Sequence, residues 1–143
     1  MSHNFRYIEH TADVAIEASG SSIEELFLAA AEGWKEIVLE SPEIQALGKL
    51  EINLEQDTGE ELLVSFLDEL NFQLNTRHWI FSSIKFLAVK NEENTWKLHA
   101  VLFGQDIIPE KHEIKVEIKA VTFHQLEIKH TNNNYSSIVV FDI

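Results

Sequence analysis

The chain has 143 residues, of which 45% are apolar and 10% aromatic, so it is long enough to fold as one domain with a buried core. Eleven lysines and arginines against 24 aspartates and glutamates give a formal net charge of −13. This field repels phosphate backbones and argues against direct nucleic-acid binding. The absence of cysteine excludes disulfides, thiolate zinc sites and cysteine nucleophiles.

The opening residues, Met1 to Arg6, are polar and do not resemble a signal peptide. No apolar run approaches the roughly 18 residues of a membrane-spanning helix. We therefore expect a cytoplasmic protein with no membrane partner. The acidic excess favours a basic protein partner or a divalent cation, and it is equally typical of a solvated surface that keeps a protein in solution.

The first elements are predicted from alternation and from helix-start signals. Residues Phe5–Ile8 are predicted to form a short strand, the tetrapeptide His10–Asp13 a turn, and Val14–Ser19 a half-buried strand that ends at Gly20. An amphipathic helix follows, because the pair Ser22 and Glu25 has capping-box spacing and apolar residues then recur at steps of three and four down to about residue 39.

The middle of the chain repeats this arrangement. Alternating residues Lys49–Leu54 predict a strand, and the capping-box pair Thr58 and Glu61 opens a second amphipathic helix. Residues Trp79–Leu102 then alternate around the turn-like Asn91–Asn94, which predicts a β-hairpin.

The last third of the chain is predicted to be β-rich. We expect a loop at Gly104–Glu110, a strand at Ile114–Ala120 that continues through Leu126–Ile128, and a turn at Thr131–Asn134 before a final strand, Tyr135–Phe141. Two helices and about seven strands in this order predict an α+β sandwich, with both helices on one face of a largely antiparallel sheet. No repeat or linker interrupts the pattern, so residues 1–143 are expected to form a single domain.

Carboxylates occur at both ends of the predicted fold. Asp13 precedes the apolar residues Val14–Ile16, and Asp142 follows Ile138–Phe141, with the main-chain carboxylate of Ile143 beside it. If folding brings these ends together, three oxygen groups become available, which is what hard cations such as calcium and magnesium require. Asp13 is equally typical of a turn cap, and chain ends often fray, so the residue types alone leave both interpretations open.

Three further residues also have two interpretations. His10 and His124 can orient a carboxylate through a hydrogen bond, although a half-buried, hydrogen-bonded imidazole is the commoner case. Lys119 is predicted on the polar side of a strand, where a lysine is either solvated or binds a phosphate or an acidic group as a point charge. No zinc helix, phosphate-binding glycine loop or nucleophile elbow is present.

Four segments taken together resemble the archease family over essentially the whole chain. They are YIEHTADV at residues 7–14, LLVSFLDEL at 62–70, EIKAVTFHQL at 117–126 and VVFDI at 139–143. This resemblance implies a non-enzymatic activator of the RtcB-type RNA ligase, which joins RNA ends in tRNA splicing and RNA repair. Archeases promote GTP-dependent guanylylation of the ligase's active-site histidine and so sustain multiple turnover.

The resemblance also implies site residues. The family's metal ligands fall on Asp13, Asp142 and the main-chain terminus of Ile143, and its functionally important lysine falls on Lys119. Calcium is the expected cation, with magnesium and manganese as alternatives. The RtcB-type ligase is the expected partner, and no direct contact with nucleic acid is expected.

Two other functions stay open at this point. The chain would be a metal-dependent hydrolase if Asp13 and Asp142 held the ion and His10 or His124 acted as the base. It would be a chaperone-like binding module if it protected many unrelated proteins without depending on either aspartate.

Overall fold

The computed structural model describes residues 13–40 and 43–143. It contains two α-helices, α1 (Ile23–Val38) and α2 (Gly59–Asn75). The described strands are β1 (Asp13–Gly20), β2 (Leu39–Glu40), β3 (Gly48–Gln56), β4 (Trp79–Glu92), β5 (Thr95–Asp106), β6 (Glu113–Ile114), β7 (Ala120–Val121), β8 (Lys129–Thr131) and β9 (Asn134–Asp142). Within the described ranges, no helix is both long and apolar enough to cross a membrane.

Both helices begin where the capping-box pairs predict. The Glu25 N–H donates to the Ser22 hydroxyl at 3.1 Å, and the Glu61 N–H donates to the Thr58 hydroxyl at 3.1 Å. Each bond satisfies one of the amide groups that the first helical turn leaves without a partner. Helix α1 ends one residue before Leu39, which starts β2 with its side chain in the core.

Strands β3, β5 and β4 form one antiparallel sheet with β5 in the centre. The predicted hairpin is confirmed, because β4 and β5 are joined at Glu93 and Asn94, which have positive φ angles of 51° and 64°. Two consecutive residues in this region form the tight turn that matches the twist of a β-hairpin. The inward residues of β5, Leu98 and Leu102, are 2% and 0% exposed.

Strand β9 is the centre of a second antiparallel sheet, in the order β1, β9, β7, with β8 also paired to β9. A short pair of β2 and β6 forms a third sheet. The predicted α+β architecture with antiparallel strands is therefore confirmed, and the strands are divided among three sheets.

The core lies between the two helices and these sheets. Trp34 of α1 is fully buried and stacks on Phe81 of β4 with ring centroids 6.2 Å apart. Its indole N–H donates to the side-chain oxygen of Asn71 in α2 at 3.1 Å, so the polar group that Trp34 brings into the core is satisfied.

The predicted continuous strand Ile114–Ala120 is wrong. Only the two ends of this stretch lie in strands, Ile114 in β6, which pairs with β2, and Ala120 in β7, which pairs with β9. Residues 115–119 between them belong to no strand. Alternation would place Ala120 in the core, yet it is exposed. The cause is tertiary, because the carbonyl of Ile118 is bound by side chains of α2 and not by a neighbouring strand.

The predicted loop at Gly104 begins later than expected, since β5 runs on to Asp106. Residues Leu126–Ile128 likewise do not continue a strand, and pairing resumes only at β8. The predicted strand Phe5–Ile8 and the first three residues of the predicted turn lie outside the described residues.

Candidate functional site

The strand register places Asp13 directly opposite Asp142. They form the first pair of the β1 and β9 ladder, followed by Val14 opposite Phe141. Residues opposite each other in an antiparallel pair have their side chains on the same face, with Cα atoms about 4.5–5.5 Å apart. Both aspartates are exposed. The expectation that these two parts of the chain meet is confirmed.

The other side of β9 brings Lys119 to the same place. Ala120 of β7 is also paired with Asp142, and the Lys119 N–H donates to the Asp142 carbonyl oxygen at 2.8 Å. The central strand therefore carries Asp142 between Asp13 on one flank and Lys119 on the other. We call this group of three residues the β9-end site.

The electrostatics of the β9-end site follow from this register. Two carboxylates directly opposite each other on adjacent strands repel, which destabilises the pair unless a positive charge lies close by. The backbone of Lys119 adjoins the end of β9, and its exposed side chain adds one positive charge to this region of the surface. A cation is a second source, and the chain's overall charge of −13 would attract it.

Asp13 and Asp142 offer only oxygen ligands, which is the type of ligand that a hard cation binds. Among residues 13–40 and 43–143, however, no group of three or more histidine, cysteine, aspartate or glutamate side chains could hold a metal ion. Two carboxylates therefore need further oxygen ligands, and the main-chain carboxylate of Ile143 is the one predicted from the sequence. The side chain of Ile143 is half-buried and packs against the core. The metal role of these three residues stays a prediction.

His124 lies in an exposed turn after β7, where its backbone N–H donates to the Thr122 hydroxyl at 3.2 Å. Thr122 in turn donates its N–H to the Val140 carbonyl, two residues before Asp142 on β9. His124 therefore follows a residue that pairs with β9 at Val140, further along the strand from Asp13 and Asp142. His10 lies outside the described residues, and the proposed part of both histidines stays a prediction.

Sequence reasoning missed the support that α2 gives to this site. The side-chain amide of Asn71 donates to the Ile118 carbonyl at 2.7 Å, and that of Asn75 donates to the same oxygen at 3.1 Å. Ile118 directly precedes Lys119. The signal was present, because Asn71 stands in a row of apolar residues on the buried face of α2 and is itself only 8% exposed. A buried amide needs partners, and those of Asn71 are the Trp34 indole in the core and the Ile118 carbonyl next to the β9-end site.

Comparison with protein families gives a match over almost the entire chain. The sequence model described as the Archease protein family (MTH1598/TM1083) matches residues 5–143. The chain is 32% identical over 139 residues to the protein archease of Methanosarcina mazei, covering 97% of this chain and 95% of that protein. It is 34% identical over 125 residues to the protein archease of Thermococcus kodakarensis, covering 87% of each.

Solved structures of similar proteins share the fold. The solution structure of Methanobacterium thermoautotrophicum protein 1598 has a TM-score of 0.79 and 30% sequence identity, covering 93% of this chain and 94% of that one. A crystal structure from Thermotoga maritima, described as an archease and possible chaperone, has a TM-score of 0.64 and 27% identity over the full length of both chains.

Proposed function

The chain belongs to the archease family, and on this premise we propose that it is a non-enzymatic activator of an RtcB-type RNA ligase. In this role it promotes GTP-dependent guanylylation of the ligase and sustains its turnover in tRNA splicing and RNA repair. The protein acts in the cytoplasm and uses a divalent cation, with calcium the first candidate and magnesium and manganese the alternatives.

One observation supports this proposal above the others. The β1, β9 and β7 register brings Asp13, Asp142 and Lys119 together from three separate parts of the chain. These are the residues onto which the family resemblance places the metal ligands and the functional lysine. No local pattern in the sequence required them to be neighbours.

The proposed roles follow from the charges of these groups. Asp13 and Asp142, with the main-chain carboxylate of Ile143, provide the negative charge and oxygen ligands that hold a cation in place. A divalent cation bound there would supply positive charge for a nucleotide phosphate. Lys119, whose side chain is exposed and whose backbone N–H donates to the Asp142 carbonyl, binds a phosphate or an acidic group of the ligase as a point charge.

The test is the rate at which an RtcB-type ligase is guanylylated by GTP in the presence of this protein. We expect Asp13→Ala, Asp142→Ala and Lys119→Ala each to lower the rate by roughly 10-fold or more, since the aspartates hold the cation and Lys119 supplies the positive charge that binds a phosphate or an acidic group of the ligase. Unchanged rates in all three variants, with folding intact, would remove the proposed mechanism.

Two control variants match these changes in charge. Glu17→Ala removes an exposed carboxylate from the same strand as Asp13, opposite the apolar Ile138. Lys115→Ala removes an exposed lysine four residues before Lys119. Both controls should activate the ligase as the unaltered protein does. Equal losses in the controls and the site variants would show that overall charge matters and not the β9-end site.

Two assays separate this function from the alternatives. A hydrolase would turn over generic phosphoesters by itself with calcium, magnesium or manganese. A chaperone-like module would protect unrelated proteins from aggregation; the Thermotoga maritima protein is described as a possible chaperone. We expect the protein alone to show neither phosphoesterase turnover nor general protection of unrelated proteins, and a phosphoesterase activity that Asp142→Ala abolishes would favour the hydrolase.

A further inference from the structure

We infer that Asn71 and Asn75 of α2 are positioning residues that hold Lys119 in place at the β9-end site. This inference rests on the proposed function, because it concerns the lysine through which the ligase is activated. It assigns to α2 a part in activation that neither its amphipathic pattern nor its core packing requires.

The first step of the argument is the unusual environment of the Ile118 carbonyl. Residues 115–119 are not paired in any strand, so the backbone just before Lys119 lacks the ladder that normally fixes an extended segment. The Ile118 carbonyl instead accepts two side-chain amides, Asn71 at 2.7 Å and Asn75 at 3.1 Å. Two donors occupy both lone pairs of one carbonyl oxygen and fix its direction.

The second step is that the orientation of the Asn71 amide is itself determined. The Trp34 indole N–H is a donor only, and it lies 3.1 Å from the Asn71 side-chain oxygen. The amide nitrogen of Asn71 must therefore face Ile118. Trp34 is fully buried, so this chain of hydrogen bonds joins the centre of the core to the residue next to Lys119.

The third step concerns the other side of Lys119. Its own N–H donates to the Asp142 carbonyl at 2.8 Å. Two side chains of α2 thus bind the residue before Lys119, and β9 binds the backbone of Lys119 itself. The lysine side chain stays exposed and free to bind, while its backbone is fixed by a rigid element.

Asn75 offers the cleanest test, since it is exposed and α2 ends there. Asn75→Asp keeps the size of the side chain, replaces the amide donor by an acceptor and leaves Asn71 and the core intact. Asn75→Gln keeps an amide donor. Asn53→Asp makes the same charge change at an exposed position of β3 and serves as the control.

We expect Asn75→Asp to lower activation of ligase guanylylation roughly 10-fold, because misplacing a functional group by about 1 Å has large effects on rate. Asn75→Gln and Asn53→Asp should stay within about twofold of the unaltered protein. In the same samples, hydrogen exchange of the Lys119 amide, followed by NMR, should accelerate only in Asn75→Asp. Calcium affinity should not change in any of them, since the Asp13 and Asp142 pair is untouched.

Equal activation by Asn75→Asp and Asn53→Asp would overturn the inference, as would an equal loss in Asn75→Asp and Asn75→Gln. Faster exchange at Lys119 without a loss of activation would overturn it too. Failure of the proposed function is distinguished by Lys119→Ala, measured alongside. If that variant activates the ligase fully, the role of Lys119 is wrong and the inference falls with it.

Discussion

The two larger sheets of this protein are stabilised in different ways. In the sheet of β3, β5 and β4, strands of 9 to 14 residues pair along most of their length, and two of them are joined by a tight turn. In the sheet of β1, β9 and β7, the strands come from opposite ends of the sequence, and β7 has only two residues.

The proposed site lies on the second of these sheets. The hairpin sheet is fixed by its own backbone ladder, which short-range sequence signals encode. The sheet that carries the β9-end site depends on long-range register and on side chains of α2 that replace missing ladder bonds. Adding a side-chain atom where two backbones lie close together should therefore destabilise the first sheet most. Removing a polar side chain should destabilise the second sheet most.

The largest effect is expected at Gly104 of β5, which is paired with Phe81 of β4. A Cβ atom added at Gly104 would overlap the carbonyl oxygen of Ile80 and lie 2.7 Å from the Cα of Phe81. Backbone atoms cannot move aside cheaply, so Gly104→Ala should lower the free energy of unfolding by about 3 kcal/mol or more, measured by urea denaturation.

The matched control for that change is the glycine opposite it on β3. A Cβ at Gly48 would meet its nearest neighbours at 3.8 Å, which is ordinary contact. Gly48→Ala should change the unfolding free energy by less than about 1 kcal/mol. Equal stability of the two variants would mean that the hairpin sheet does not have the close approach described above.

A smaller effect is expected from the polar support of the second sheet. Trp34→Phe removes the indole donor, leaves the buried Asn71 oxygen without its partner and opens a small cavity. Together these changes should cost about 2 kcal/mol in urea denaturation. The same substitution at Trp96, which is only partly buried, should cost less than about 1 kcal/mol. If both cost the same, the Trp34 to Asn71 hydrogen bond does not support the second sheet.

The smallest effect is a pH dependence at Asp68, where burial raises the pKa above 3.8 and the hydrogen bond from the Val121 N–H partly opposes that rise. A raised pKa in the folded protein favours the protonated form, so the stability it contributes is present at low pH and is lost as pH rises through the folded pKa. Asp68→Asn, which stays neutral, should therefore be more stable than the unaltered protein at pH 7. The gain should be only about 0.3 kcal/mol, since the carboxylate is partly exposed and screened.

Thermal unfolding at pH 7 and at pH 3 checks that expectation. The advantage of Asp68→Asn should shrink at the lower pH, where the aspartate of the unaltered protein becomes protonated. An advantage that grew on acidification would give the opposite sign and show that the folded protein lowers the pKa of Asp68.

Much of the fold was predictable because its signals are local. The starts of both helices are encoded within four residues, as at Ser22 and Thr58, and the hairpin is encoded by alternation around a turn. The same method failed at Ile114–Ala120, where alternation predicted one strand. There the backbone bonds to α2 side chains that lie more than 40 residues away in sequence.

The residues of the β9-end site stay a prediction, and the strand pairing that brings them together does not follow from local pattern. Asp13, Asp142 and Lys119 were identified from residue types and from a family resemblance. Their arrangement depends on which strands pair, and strand register across a whole chain is a tertiary property that periodicity does not determine. The supporting amides of Asn71 and Asn75 escaped notice because a helical pattern does not reveal which carbonyl a side chain will meet.

The central claim is that the opposed aspartates of β1 and β9 hold a cation, and calorimetric titration with calcium tests it most directly. The unaltered protein and Glu17→Gln, which neutralises a carboxylate four residues along β1, should bind calcium with the same affinity within about twofold, whereas Asp142→Asn should bind roughly 10-fold more weakly or not at all. Calcium binding by Asp142→Asn that is as tight as that of the unaltered protein would contradict the claim.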